Sequence, residues 1–140
     1  MSILTSASAA SAWRGYEYYT EKKVIAFAQV GDGEYTGCVS GSAKKPYQVH
    51  INVSHIRQSH CNCPHANGTR VICKHMVALY FAAYPVEAVS YKEQVDKYEE
   101  EAEERLEAHY AEVERYVMSL SKKELQTELY DALLQLEERW

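Results

Sequence analysis

The sequence predicts an α+β fold followed by helix alone, and three features carry that reading. The stretch from Tyr47 to Ser54 alternates apolar and polar residues as a half-buried strand does, a cysteine-rich cluster follows it, and beyond Pro85 the pattern becomes charged and helical. With 46% hydrophobic and 25% charged residues over 140 positions, the chain is close to the globular average. That excludes wholesale disorder and leaves enough chain for a core without disulfides. The longest apolar run, Met76 to Tyr84, ends at Pro85, well short of the roughly 20 residues that span a membrane. No basic segment precedes an apolar stretch at the N-terminus, and Glu17 and Glu21 follow soon after. No signal or transit peptide is read, and the chain is expected to be intracellular and cytoplasmic.

Each element has its own signal. From Thr5 to Glu21 an Ala- and Ser-rich stretch carrying Trp13, Tyr16, Tyr18 and Tyr19 predicts a short N-terminal helix. Val24 to Val30 is β-branched and aromatic enough for a strand. Gly31-Asp32-Gly33 marks a turn, and Tyr35 to Ser40 makes the returning strand of a hairpin, with Cys38 as a small core residue. Gly41 to Pro46 connects to the third strand. There Tyr47, Val49, Ile51 and Val53 face the core, while Gln48, His50, Asn52 and Ser54 face outward. A fourth strand is expected from Ile56 to Cys61, completing a small antiparallel sheet.

Met76, Leu79, Tyr80 and Ala83, with Val77 and Phe81, give a helix that is apolar on most sides and therefore packed. From Val86 to Leu120 one long helix is expected, with Val95, Tyr98, Ala102, Leu106, His109, Val113, Tyr116 and Leu120 on one face. Ser121-Lys122-Lys123-Glu124 is a capping box that restarts the helix, and Leu125, Leu129, Ala132, Leu133 and Leu136 form its stripe. The break near Ser119–Ser121 predicts a C-terminal helical hairpin burying both stripes. The expected division is residues 1–86 and an acidic amphipathic region, 87–140.

Charge is segregated. Residues 35–86 hold Lys44, Lys45, Arg57, Arg70 and Lys74 and no acid, where an even spread would put about seven acids. Residues 87–140 hold sixteen acids and seven bases. Part of the gap reflects strands and buried helices, which exclude carboxylates in any case.

The cluster reads Cys61-Asn62-Cys63, nine residues, then Cys73-Lys74-His75. Zinc takes four tetrahedral ligands from thiolates and imidazoles. From an extended strand end, residues two apart face the same way, which suits Cys61 and Cys63. Cys73 and His75 cannot share a face in mid-helix, so they belong where a loop turns into a helix. Buried free cysteines beside a core histidine have no reason to keep such spacing. His60 and His65 flank the first pair, but the set of four is complete without them. Cys-x-x-Cys redox chemistry is absent.

This arrangement resembles the SWIM zinc finger family. The flanks agree: Tyr47-Gln48-Val49-His50-Ile51 precedes the first pair, and Cys73-Lys74-His75-Met76-Val77-Ala78 carries the second. Arg14-Gly15-x-Glu17-Tyr18-Tyr19 with Lys23-Val24 is similar to the lead-in of bacterial SWIM proteins, so the likeness covers about residues 12–85. The resemblance implies one structural zinc ion held by Cys61, Cys63, Cys73 and His75. It also implies contact with DNA or RNA, or with a helicase, transposase or other DNA-processing protein.

A closed four-ligand site offers no position for a reacting water, and no phosphate loop or nucleophile elbow appears, so no enzyme is expected. The basic block offers Lys44, Lys45, Arg57, Arg70 and Lys74 to phosphates, and His50, Asn52 and Tyr47 for hydrogen bonds or stacking. The plain alternative for five bases in this block is solvated surface. The second functional expectation is a protein adaptor acting through the C-terminal helices. Homodimerisation there is not favoured, because the stripe is not a strict heptad of Leu or Ile.

Overall fold

A computed structural model describes residues 2–139 of the chain. Its elements run α1 (Ile3–Ser6), α2 (Ala9–Thr20), β1 (Val24–Gly31), β2 (Glu34–Val39), β3 (Tyr47–Asn52), a 3-10 turn (Ile56–Gln58), β4 (His60–Cys61), α3 (Lys74–Ala83), α4 (Pro85–Ser119) and α5 (Lys122–Glu138). The α+β order is the expected one, with two local differences. The N-terminal helix is two helices, because Ser2 and Ser8 each cap a new start: Ser2 Oγ accepts from Thr5 N, and Ser8 Oγ from Ser11 N. The fourth strand shrinks to His60–Cys61, since Ile56–Gln58 coils into the 3-10 turn.

The chain divides into a compact unit ending at Lys92 and a second beginning at Glu93. In the first, the antiparallel sheet has the order β1-β2-β3-β4. β2 and β3 pair without interruption from Glu34↔Asn52 to Val39↔Tyr47, whereas irregularities on β1 confine its regular pairing to Ala26–Gln29. α3 covers one face of the sheet and α2 packs on α3. Val39, Val49 and Ile51 from the sheet and Met76, Val77, Leu79 and Phe81 from α3 are buried together, with Ile3 and Ala88 closing the edges. Tyr16 adds an edge-on contact with Phe81, the ring centres 5.9 Å apart. Cys38 is not a core residue: it points to the open face, half-buried, where its sulfur meets the Gln48 amide.

Tyr84 closes α3, and Pro85, which lacks an N–H and has φ set for a helix, opens α4. The second unit is the remainder of α4 plus α5. The capping box forms as expected, Glu124 N donating to Ser121 Oγ and Ser121 N to Glu124 Oε1. The expected burial of the two stripes against each other does not occur. Tyr98, Leu106, Val113, Tyr116, Leu125, Leu129, Leu133 and Leu136 are 38% to 68% exposed. No described helix is long and apolar enough to cross a membrane.

Candidate metal centre

β3 holds β4 in place through the pairs Val49↔Cys61 and His50↔His60, and the strand ends at Cys61. Asn62 N donates to Gln48 O, which keeps the chain extended so that Cys61 and Cys63 turn the same way. A tight turn follows at once, with Ala66 N and Asn67 N both donating to Cys63 O. The loop returns through Gly68, whose φ of +76° suits glycine, to Cys73. Cys73 is the extended residue that precedes α3, so His75 lies in the first helical turn. The loop-to-helix placement expected for this pair is the one found.

The ligand atoms of Cys61, Cys63, Cys73 and His75 all lie within 4.8 Å of one another, and all four residues are buried. Sγ of Cys61 and Sγ of Cys73 are each 3.8 Å from Nδ1 of His75. A tetrahedral zinc ion with ordinary bond lengths would separate sulfur and nitrogen ligands by about 3.5 Å, so the cage fits with small adjustment. The donor set fits as well: three soft sulfurs and one imidazole suit zinc better than a hard cation. Nδ1 faces the sulfurs, which leaves the proton to Nε2. That atom is buried with no hydrogen-bond partner and lies against Tyr47 and Gly41. The four residues are arranged to hold one structural zinc ion, which would tie β4, the loop and α3 together.

Without metal, Cys73 has its thiol pulled down to about 4, chiefly by a hydrogen bond from the Cys61 thiol, with His75 and the Met76 N–H assisting. The same bond and burial push Cys61 well above its ordinary value. One proton is therefore shared between two facing sulfurs, as expected of crowded thiolates awaiting a cation.

The other predicted residues scatter. Lys74 reaches over the Tyr18 ring at 5.0 Å, and Lys23 covers the same ring at 4.1 Å. Tyr18 also meets His75 edge-on at 5.5 Å. Lys44 and Lys45 lie exposed on the β2–β3 loop, near whose start Gly41 lies against Tyr47 and His75. Arg57 is on the 3-10 turn beyond the opposite end of β3, and Arg70 is exposed on the ligand-bearing loop. His50 stacks on His60 across β3 and β4.

Two of the expected contacts are buried. Tyr47 is buried against His75, ring centres 4.7 Å apart. Asn52 is buried with its amide fully used: Nδ2 donates to Glu34 and Gln58, and Oδ1 accepts from the N–H groups of Ser54 and His55. Arg14, which belongs to the segment resembling the SWIM lead-in, was not among the expected contacts. It lines a cleft of about 450 Å³ with His65, Lys74, Cys63, Cys73 and His75. The signal was its spacing, since Arg14 and Tyr18, four apart, share a helix face.

Residues 47–84 match the family model of the SWIM zinc finger, and the four ligand residues lie inside the matched segment. No curated protein and no solved structure matches the chain.

Proposed function

We propose that the chain is a non-enzymatic nucleic-acid-binding module whose binding face is assembled by the zinc finger. One observation carries the reading: cations and an aromatic ring gather around the zinc end of the first unit. Arg14 and Lys74 share the cleft beside Cys63 and Cys73, Lys23 and Lys74 flank Tyr18, and the loop bearing Lys44 and Lys45 starts against His75. Phosphates are held by just such side chains, with bases free to meet exposed rings. Lys23 also pairs with Glu21 at 3.3 Å, which weakens its claim. Arg57 is a strand's length away from this surface and is the natural control.

The test is anisotropy with labelled single-stranded DNA, duplex DNA and RNA at several salt concentrations. Binding is expected to weaken with salt by about −0.7 per neutralised phosphate on single strands. Replacing Arg14, Lys44, Lys45 and Lys74 with Gln should then flatten that slope by up to about 3. Arg57→Gln should leave it unchanged. Flat titrations for all three nucleic acids would end this reading.

The uncovered stripes of the second unit support another reading, attachment to a protein partner. Leu129 and Leu133 are 61% and 52% exposed on α5, and Tyr98 is 68% exposed on α4. Such a run of apolar side chains is unusual unless something covers it. Under this reading Leu129→Ser with Leu133→Ser raises solubility and removes association seen by sedimentation, while the lysine changes do nothing.

A further inference from the structure

α3 covers one face of the sheet. Gly37 marks that face, since a Cβ there would lie 3.0 Å from Leu79. Thr36, Gln48 and His50 alternate onto the other side, and a cleft of about 680 Å³ lies there across β2, β3, β4 and the zinc-finger loop. Its polar side chains are those of Thr36, Gln48, His50, His60, Asn62 and Asn67, with no carboxylate, lysine or arginine. A shallower groove of about 270 Å³ shares Thr36 and Gln48 and continues over β1 past Ala26 and Ala28.

Three features of this cleft point to a flat, neutral, hydrogen-bonding ligand. The His50 and His60 rings are already stacked, centres 5.0 Å apart and 15° from parallel, with His60 exposed, so a third ring can extend the stack. The amides beside them have capacity left. Asn62 uses its oxygen to accept from Gln48 N, which frees its NH2 group. Among the described residues the side-chain amide of Asn67 and the Thr36 hydroxyl have no hydrogen-bond partner. Finally, a volume of this order suits a small molecule, and the absence of charge argues against a phosphate as the group held.

We propose that this cleft is a nucleobase pocket, in which a base stacks on His60 and is read at its edge by Asn62, Asn67 and Thr36. This rests on the nucleic-acid reading for its biological setting, but its chemistry stands apart from the basic surface. Stacking on side-chain rings with contacts to the base edge is how unpaired bases are recognised. It also gives the zinc site a purpose beyond stability: Cys61 sits between His60 and Asn62, and Asn67 lies in the loop closed by the four ligands. Pinning Cys61 and Cys63 therefore places both walls of the pocket.

The experiment titrates adenosine, guanosine, cytidine and uridine, which carry no phosphate, into the zinc-loaded full chain, and follows side-chain amide and imidazole NMR signals. Shifts at His50, His60, Asn62 and Asn67 for at least one nucleoside are expected, lost in His60→Ala, kept in His60→Phe and abolished by chelation. Affinity for a short oligonucleotide should fall roughly 5- to 150-fold in His60→Ala, the range of one stacked base. The same oligonucleotide without bases should bind only through its phosphates and ignore that change. Zinc content and far-ultraviolet dichroism of each variant show that it folds.

No shifts up to the solubility limit, or shifts unaffected by His60→Ala and Asn67→Ala, overturn the pocket. So do shifts caused by Ni2+ or Cu2+ but by no nucleoside, which would identify a cross-strand imidazole metal site. If the abasic strand binds in a salt-dependent way while nucleosides do not, the pocket fails and the basic surface stands.

Discussion

Gly15 is the residue through which α2 and α3 come closest. A Cβ there would lie 2.5 Å from Cβ and Cγ1 of Val77 and 2.9 Å from the Lys74 carbonyl oxygen. Backbone and a β-branched side chain cannot move aside cheaply, so Gly15→Ala is expected to destabilise the first unit by about 1–3 kcal/mol. Urea unfolding of the zinc-loaded protein measures it, and an unchanged midpoint would mean that the helices separate freely. The sulfurs make a second prediction at this scale. Zinc needs thiolates, and in the metal-free chain Cys61 keeps its proton because its thiol is pushed up by Cys73 and by burial. Metal binding must release that proton and any other still held by the ligands, so the dissociation constant should rise at least about tenfold for each unit of pH lost near neutrality. Competition with a chromogenic chelator at several pH values checks the slope. A flat profile would show that Cys61 is already ionised.

At the scale of elements, α5 depends on its cap, since all its described side chains are exposed and none holds it by packing. Removing the Ser121 hydroxyl leaves Glu124 N without its partner, and Ser121→Ala is expected to cost about 1 kcal/mol of helix stability. Faster amide exchange confined to the first turn of α5 would show it. The cap also has a pH sense. Hydrogen bonds from Ser121 hold the Glu124 carboxyl below its ordinary 4.5. Its contribution is therefore full above that value and fades as the pH falls through the folded value. Backbone carbon shifts at residues 122–125 should drift toward coil under acid, and the drift should vanish in Glu124→Gln.

This cap was legible in the sequence because four adjacent residues contain it, and so was β3, whose alternation needs no distant partner to be recognised. The zinc ligands were legible through spacing alone. What escaped depends on contacts between distant residues. Serine occurs often enough in the first eleven positions to offer several helix starts, so the break between α1 and α2 was hidden. Asn52 looked outward by parity but is buried under Glu34 and Gln58. The stripes of α4 and α5 announce apolar faces without naming what covers them.

For the whole molecule, the two units differ in what holds them. In the first, Cys61, Cys63, Cys73 and His75 are themselves part of the buried interior, and β4 has two residues of ladder to keep it in place. Structural zinc contributes about 10–16 kcal/mol in isolated fingers, which is comparable with the roughly 5–15 kcal/mol of an entire small domain. Removing it leaves a buried imidazole and three crowded sulfurs with no cation to bind them. The second unit contains none of the four ligands, and its helices rest on local backbone bonds and the Ser121 cap. Chelation is therefore expected to strip amide protection from β4, the loop and the start of α3, and to change the near-ultraviolet signal of Tyr18 and Tyr47, which pack on His75. Exchange from residue 93 onward should stay as it was, and zinc should restore the first unit. Loss of protection along the whole chain would instead mean that the second unit depends on the first, and retention everywhere would mean that the sheet and α3 hold the fold without metal.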